Sequence, residues 1–317
     1  MTDASQTAND WLGTAEPTME AIAASHEGGA GRTAVVQKHL TGERIGYAVR
    51  RHDYEGVTFA DGESALKHAA DVTLTDCVFE WKYPLWYDTD LTARGCTWLE
   101  ATRAGLWYCK HVDIADSAID SPKNLRRCTG VTLRNVAFTN GAETLWDCRD
   151  VTLDHVTVKG DYFAMNSQDL SIDGLTLVGG YSFDGAKNVT VANTRIVGRD
   201  AFWNAQNITV RDSHISGAYV AWNSRNVTFE NCTIESLQGL CYVEGLTLRN
   251  CRLINSELAF EYSDVDAELV GPVRSIFNPR SGRIVCDGVE ELTLDPAFVD
   301  PKATEIVTPD GRDLTAR

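Results

Sequence analysis

Between residues 71 and 253 one nine-residue phrase of alternating apolar and polar positions returns ten times. It reads "DVTLTDCVF" from 71, "DLTARGCTW" from 90, "HVDIADSAI" from 111, "GVTLRNVAF" from 130 and "DVTLDHVTV" from 150. It continues as "DLSIDGLTL" from 169, "NVTVANTRI" from 188, "NITVRDSHI" from 207, "NVTFENCTI" from 226 and "GLTLRNCRL" from 245. Successive starts lie 19, 21, 19 and 20 residues apart, then 19 five times. The second and fourth positions are apolar between polar neighbours, the period of a strand with one buried face. Asn, Asp or Gly at the first and sixth positions, as at Asn188 and Asn193, supplies tight bends. A second short strand ends at the ninth position, in Ile196 or Ile215. A third is predicted around Leu85, Leu106, Leu125, Leu145, Ala164, Phe183, Phe202, Ala221 and Leu240.

Three strands and three bends per repeat make one coil of a right-handed parallel β-helix, which must stack on its neighbours to bury its face. The expected fold is therefore an all-β, right-handed parallel β-helix solenoid of about 10–12 coils, with equivalent residues about 4.8 Å apart. Residues 1–33 are expected to be a disordered extension, 34–62 an N-terminal cap, 63–271 the β-helix and 272–317 a C-terminal cap and tail.

Stacking turns sequence spacing into columns. Cys77, Cys96, Cys232 and Cys251 fall in one column, and Cys109, Cys128 and Cys148 in another. With nine cysteines, no C-x-x-C pair and no zinc spacing, they read as inward-facing reduced thiols. An outward column follows the buried residue of the third strand: Lys67, Trp86, Trp107, Arg126, Trp146, Met165, Asp184, Trp203, Trp222, Cys241. A parallel one holds Tyr83, Ala104, Lys123, Glu143, Tyr162, Tyr181, Asp200 and Tyr219. A long aromatic stripe of this kind calls for a covering. The chain's own termini, a second copy in a homodimer, and a saccharide or other small-molecule ligand are the three coverings the residues allow.

The charged members of the stripe are the chemical candidates. Arg126 between Trp107 and Trp146 suits a cation-π sandwich or a clamp on an anion. Arg127 with Asp147, and Lys123 with Glu143, are placed to pair across rungs. Glu143 and Asp161 sit close enough in the stack to serve as general acid and base of a glycoside-cleaving site, with Arg126 gripping an anionic group. Asp184 is about 14 Å from Arg126, three rungs away. The ligand-binding candidates are Trp107, Trp146, Trp203, Trp222, Tyr162, Tyr181, Asp147, Asp184 and Lys123. Asp147, Asp161 and Asp184 lack the Asp-x-Asp arrangement that calcium takes, so no metal and no cofactor is expected. His111 and His155 sit at bends and His214 on another face, and no H-E-x-x-H, G-x-S-x-G or phosphate-loop motif is present.

The formal charge of −16 and pI near 4.8 argue against nucleic acid or an anionic membrane as partner. The N-terminus has neither a positive n-region nor an apolar h-region, so a cytoplasmic location is expected. The N-x-T matches at Asn188, Asn207, Asn226 and Asn231 are then products of the repeat's turn chemistry.

The ordered set "DGESALKHA" (61–69), "FEWKYPLWY" (79–87), "RAGLWY" (103–108), "AETLWDC" (142–148), "GDYFAMNS" (160–167), "DAFWN" (200–204) and "AFEYSDVDAE" (259–268) resembles a bacterial family of right-handed parallel β-helix proteins labelled a domain of unknown function. The resemblance spans about 40–290 and implies the fold, a pectin-lyase-like β-helix. It brings no catalytic residues, and neither the calcium-binding aspartates with an arginine base of pectate lyases nor the aspartate sets of polygalacturonases are intact here. The residues point to carbohydrate recognition along the aromatic face, with or without glycoside hydrolase or lyase chemistry. A non-enzymatic scaffold whose stripe buries a partner chain or its own termini is the alternative.

Overall fold

The structure, a computed structural model, describes residues 31–315. The chain forms a parallel β-solenoid of about 14 turns with about 19 residues per turn. First-side strands pair in parallel from Thr33–Val36 to Thr304–Val307. Their register reproduces the sequence period: Val189 lies beside Ile208, Ile208 beside Val227 and Val227 beside Leu246. The second side stacks likewise through Thr176–Val178, Arg195–Val197 and His214–Gly217. One 24-stranded sheet covers both sides.

The expected boundaries need revision. Residues 34–62, read as a cap, already coil in register, with Thr33 beside His52 and His39 beside Thr58. The stretch after 272 also continues the stack, through Val273–Phe277 beside Val289–Thr293 and Ser281–Val285 beside Thr304–Val307. These segments lack the nine-residue phrase but supply the same backbone partners, which raises the count above the 10–12 expected coils. The extension expected over 1–33 lies, except for its last residues, outside the described residues.

The third side is mostly not a strand. Leu85–Trp86 pairs with Leu106–Trp107, Arg126 bridges Trp107 to Trp146, and toward the C-terminal end Ala259 bridges Ile276 of Val273–Phe277, which itself pairs with Val289–Thr293. In the arcs between Lys123 and Asn204 three residues of each take left-handed backbone: Lys123, Leu125 and Arg127 have φ of 64°, 52° and 52°, and Glu143, Leu145 and Asp147 have 55°, 58° and 55°. Burial then alternates in pairs: Asn124 and Leu125 are buried, whereas Arg126 and Arg127 reach the surface. Rung-to-rung hydrogen bonds hold the arc, as from the Phe183 N–H to the Phe163 carbonyl and the Phe202 N–H to the Ser182 carbonyl, both 2.8 Å. Each bond offsets part of the cost of a left-handed non-glycine residue, about 1–3 kcal/mol.

At the two outer bends the left-handed positions carry Asn and Asp, the residues that tolerate them best. Stacked one rung apart, these amides bond to one another: Asn188 Nδ2 to Asp169 Oδ1 at 2.8 Å, Asn207 to Asn188 at 2.8 Å and Asn226 to Asn207 at 3.0 Å. The N-x-T matches at Asn188, Asn207 and Asn226 are this ladder, and Asn231 belongs to the second, donating to Asp212 at 3.0 Å.

Inside, rings stack between rungs, Phe59 on Phe79 at 4.8 Å and Phe79 on Trp98 at 5.2 Å. All nine cysteines are free and buried. That includes Cys241, placed in the outward column by periodicity; it is fully buried, donates to the Leu258 and Gly239 carbonyls, and burial pushes its thiol up to about 12.

One core position is anomalous. Asp88 occupies the inward column of Cys109, Cys128 and Cys148 and is buried. Its Oδ1 accepts the Ala69 N–H at 2.9 Å, as Ser167 Oγ accepts the Cys148 N–H and Ser224 Oγ the Ala205 N–H. The serines also donate to a carbonyl of the preceding rung, whereas Asp88 Oδ2 has no hydrogen-bond partner among the described residues. Burial holds the Asp88 carboxyl well above the usual range, so the folded state keeps its proton where the unfolded state has lost it. Stability therefore falls as pH rises from the unfolded carboxyl value through the folded one.

Two predictions follow from this packing. Gly198→Ala would put a Cβ 2.0 Å from the Gly179 carbonyl oxygen, in a column where Gly179 and Gly217 meet their neighbours equally closely. It should cost about 1–3 kcal/mol in urea unfolding, while Gly288→Ala, with open space around it, leaves the midpoint unchanged. Asp88→Ser should raise the melting temperature at pH 7, with the gain shrinking as the scans approach pH 4. A gain that is the same at both pH values would refute the protonated-core account.

Candidate functional site

The arc presents two outward columns that the sequence placed, and a third that it did not assign. Trp86 stacks on Trp107 at 4.9 Å with the planes 2° apart. The Arg126 guanidinium lies 5.3 Å from the Trp107 ring and 4.2 Å from the Trp146 ring. Lys67 Nζ stands 6.0 Å from the Trp86 ring at the other end. These residues form one ladder in which the faces of Trp107 are covered on both sides.

The indole N–H groups are engaged as well. Trp86 Nε1 donates to the Ala104 carbonyl at 2.7 Å, Trp107 Nε1 to that of Lys123 at 2.8 Å and Trp146 Nε1 to that of Tyr162 at 2.6 Å. Arg126 Nε makes the corresponding bond to the Glu143 carbonyl at 3.4 Å, so the arginine fills a tryptophan's place in the ladder. Its other nitrogens reach the Glu143 carboxylate, which Lys123 Nζ also approaches at 3.6 Å. Trp107 and Trp146, both expected to offer flat faces to a ligand, are thus ladder members.

The carboxylates proposed as acid and base are drawn to opposite neighbours. Glu143 leans back toward Arg126 and Lys123, whereas Asp161 Oδ1 accepts the Gly180 N–H on the following rung at 2.7 Å. Asp147 pairs with Arg127 at 3.8 Å. Among the described residues no group of three His, Cys, Asp or Glu side chains could hold a metal ion, and no helix is long and apolar enough to cross a membrane.

Past Trp146 the ladder changes character. Its next two places hold Met165 and Asp184, and beside them Tyr162 stacks on Tyr181 at 4.8 Å. Tyr162 is 37% exposed, and the Tyr181 hydroxyl accepts from Arg199, which also pairs with the buried Asp200 at 2.9 Å. Trp203 packs only loosely on Tyr181, at 6.3 Å, and Trp222 meets Tyr219 edge-on at 5.4 Å.

Alongside these indoles runs the third column. Asn204 Nδ2 donates to Asp184 Oδ1 at 3.1 Å, and Asn223 Nδ2 to Asn204 Oδ1 at 2.8 Å. Gly185 leaves its place in this column empty, which lets Asn204 reach across to Asp184. Asn204, Asn223 and Arg199 were not among the sequence-derived candidates. The signal was the recurring Trp-Asn pair at 203–204 and 222–223, whose asparagine lies outside the nine-residue phrase.

The in-register arcs and columns define the protein as a member of the parallel β-solenoid class. Within that class, the chain belongs to the family described as "Protein of unknown function (DUF3737)", whose model matches residues 33–307. No curated protein matches the chain. Among solved structures it is similar to the A-module of mannuronan C-5 epimerase AlgE4 from Azotobacter vinelandii, at 13% identity over 78% of this chain and 91% of that one, with a TM-score of 0.33. It is also similar to PfbA, a surface adhesin of Streptococcus pneumoniae, at 10% identity over 91% and 85% of the two chains and a TM-score of 0.23. Tailspike protein 3 of bacteriophage CBA120 gives 11% identity over 90% of this chain and 49% of that one, with a TM-score of 0.18. At these scores the likenesses assign no activity.

The ladder account makes a substitution test. Arg126→Ala, at a side chain 18% exposed, should cost about 1–3 kcal/mol through two lost ring contacts and a Glu143 left with Lys123 alone. Arg126→Trp should restore most of that stability, because it continues the stack. Equal losses for both variants in urea unfolding would show that the guanidinium charge, not its place in the ladder, is what matters.

Proposed function

We propose that the arc from Tyr162 to Tyr242 recognises an oligosaccharide and does not cleave it. The observation that carries this reading is the change in the ladder after Trp146. From there Trp203 and Trp222 stand beside the Asp184–Asn204–Asn223 chain of side-chain bonds, with Tyr162 and Tyr242 each 37% exposed. Sugar rings combine apolar C–H faces with hydroxyls that both donate and accept. Aromatic side chains suit the first and a row of amides and a carboxylate the second. The row repeats at rung spacing, about 4.8 Å, which suits an extended chain of similar units better than one compact ligand. Recognition without cleavage is favoured because Glu143 and Asp161 each already hold another partner, leaving no facing carboxylate pair.

A thermal-shift screen of oligosaccharides against the full chain tests the proposal. A ligand at 100 times its Kd should add about 2.7 kcal/mol of stability. Trp203→Ala should abolish that shift with little change in the unliganded melting temperature, while Arg126→Trp should keep it. If no saccharide stabilises the protein and solution mass shows a dimer that Trp203→Ala dissociates, the face is instead an interface between copies.

A further inference from the structure

A separate feature lies at the corner between the arc and the first side, far up the stack from Trp203. In register, Arg50 lies beside Ala70, Ala70 beside Thr89 and Thr89 beside Lys110. Two short side chains in succession between two long ones leave a hollow of about 210 Å³ over Ala69 and Ala70. One wall is a column of rings. His68 stacks on Tyr87 at 5.0 Å with the planes 9° apart, and Tyr87 stacks on Tyr108 at 4.8 Å and 8°. Both faces of Tyr87 are therefore covered within the column, and the rings line the hollow with their edges. Thr89 and Asp90 complete the lining, and Asp90 Oδ1 is bonded to His111 Nδ1 at 2.8 Å.

Arg50 closes one end of the hollow. Its Nε is shielded from solvent yet has no hydrogen-bond partner among the described residues, and the guanidinium forms no ion pair there. That is unusual in a chain with 45 acidic against 29 basic side chains. Arg94, Arg126, Arg211 and Arg249 each hold a carboxylate, and unpaired arginines such as Arg149, Arg195 and Arg252 are exposed to water. Arg50 is half-buried and has neither compensation. A shielded donor left unbonded costs stability, so its retention beside a hollow points to an acceptor supplied from outside the chain.

We infer that this hollow binds a small aromatic carboxylate, its carboxylate on the Arg50 guanidinium and its ring over Ala69 and Ala70 against the edges of His68 and Tyr87. Four observations select this ligand class. The guanidinium is planar and presents paired donors, the match for a carboxylate. Ring edges carry the positive part of the aromatic quadrupole, so they favour the face of a ligand ring in an edge-to-face contact. The Asp90 carboxylate in the lining and the formal charge of −16 oppose a doubly charged phosphate more than a singly charged carboxylate. The volume lies below that of sites for drug-sized ligands, which limits the body to about one ring.

Titration of the full chain with 4-fluorobenzoate, followed by fluorine NMR, tests the inference. Saturable binding of one molecule per chain, tighter than that of cyclohexanecarboxylate and not displaced by equimolar phosphate, is the expected result. Arg50→Gln should weaken it about tenfold or more without lowering the melting temperature, because the guanidinium gives up no bond to the described residues. Ala70→Leu, which fills the hollow and keeps the guanidinium, should weaken it as much, whereas Trp203→Ala should leave it unchanged. Uptake that does not saturate, or that both hollow variants leave unchanged, would overturn the inference. So would displacement by equimolar phosphate, the mark of a general oxyanion site, or equal binding of cyclohexanecarboxylate, the mark of an unselective apolar one. A fall in melting temperature for Arg50→Gln would overturn it in favour of a structural arginine. None of these outcomes touches the oligosaccharide proposal, which is read at Trp203.

Discussion

Every coil of this protein leaves its backbone N–H and C=O groups pointing along the stack, and only an in-register neighbour can satisfy them. That single requirement fixes the spacing of side chains at about 4.8 Å in every column, whether the residue points in or out. The distance is near optimal for stacked rings, as for Trp86 on Trp107, Tyr162 on Tyr181 and Phe59 on Phe79, and for side-chain amides joined head to tail. It is unfavourable for like charges. Several charged columns place opposite signs on adjacent rungs, as in Arg127 with Asp147, Arg211 with Glu230 and Arg225 with Glu244, whereas Asp154 lies beside Asp173. Composition within a column is therefore a consequence of the backbone bonding.

The first and second sides were legible because a strand with one wet face writes its geometry as a period of two, and stacking repeats it every 19 residues. Val189, Ile208 and Val227 could be assigned to one buried column from spacing alone. The arc was not legible in the same way. Lys123, Leu125 and Arg127 take left-handed backbone, and burial there runs in adjacent pairs, so Asn124 and Leu125 both face the core. A reading by alternation still placed Arg126 outward, because it follows a buried residue in either geometry. It misplaced Cys241 and gave Asn204 and Asn223 no role. The terminal coils were missed for a different reason: a rung needs backbone partners, not the repeat phrase, and residues 34–62 supply the first without the second.

The same register argument separates structural from available side chains in the aromatic stripe. In isolation each outward tryptophan looks like a ligand platform. Once Trp86, Trp107, Arg126 and Trp146 are placed one rung apart, each inner face has a neighbour and each indole N–H has a carbonyl. The arginine does not interrupt this ladder, since Nε makes the bond an indole would make. Met165 and Asp184 do interrupt it, being unable to stack or to offer an indole N–H.

A perfect solenoid would present the same surface at every rung and could select nothing along its length, so specificity has to reside where the period fails. Two failures stand out among the described residues. One is chemical: at Met165 and Asp184 the stacked column loses its rings while the backbone register continues, and Trp203 meets Tyr181 only at 6.3 Å. The other is geometric: two extra residues between Trp98 and Leu106 raise a ledge over Trp81 without disturbing the strands on either side. In both places the flanking coils are held by the full set of rung-to-rung bonds, so the irregular segment can differ without unravelling its neighbours. The repeat supplies rigidity, and the departures from it are what distinguish one stretch of the surface from another.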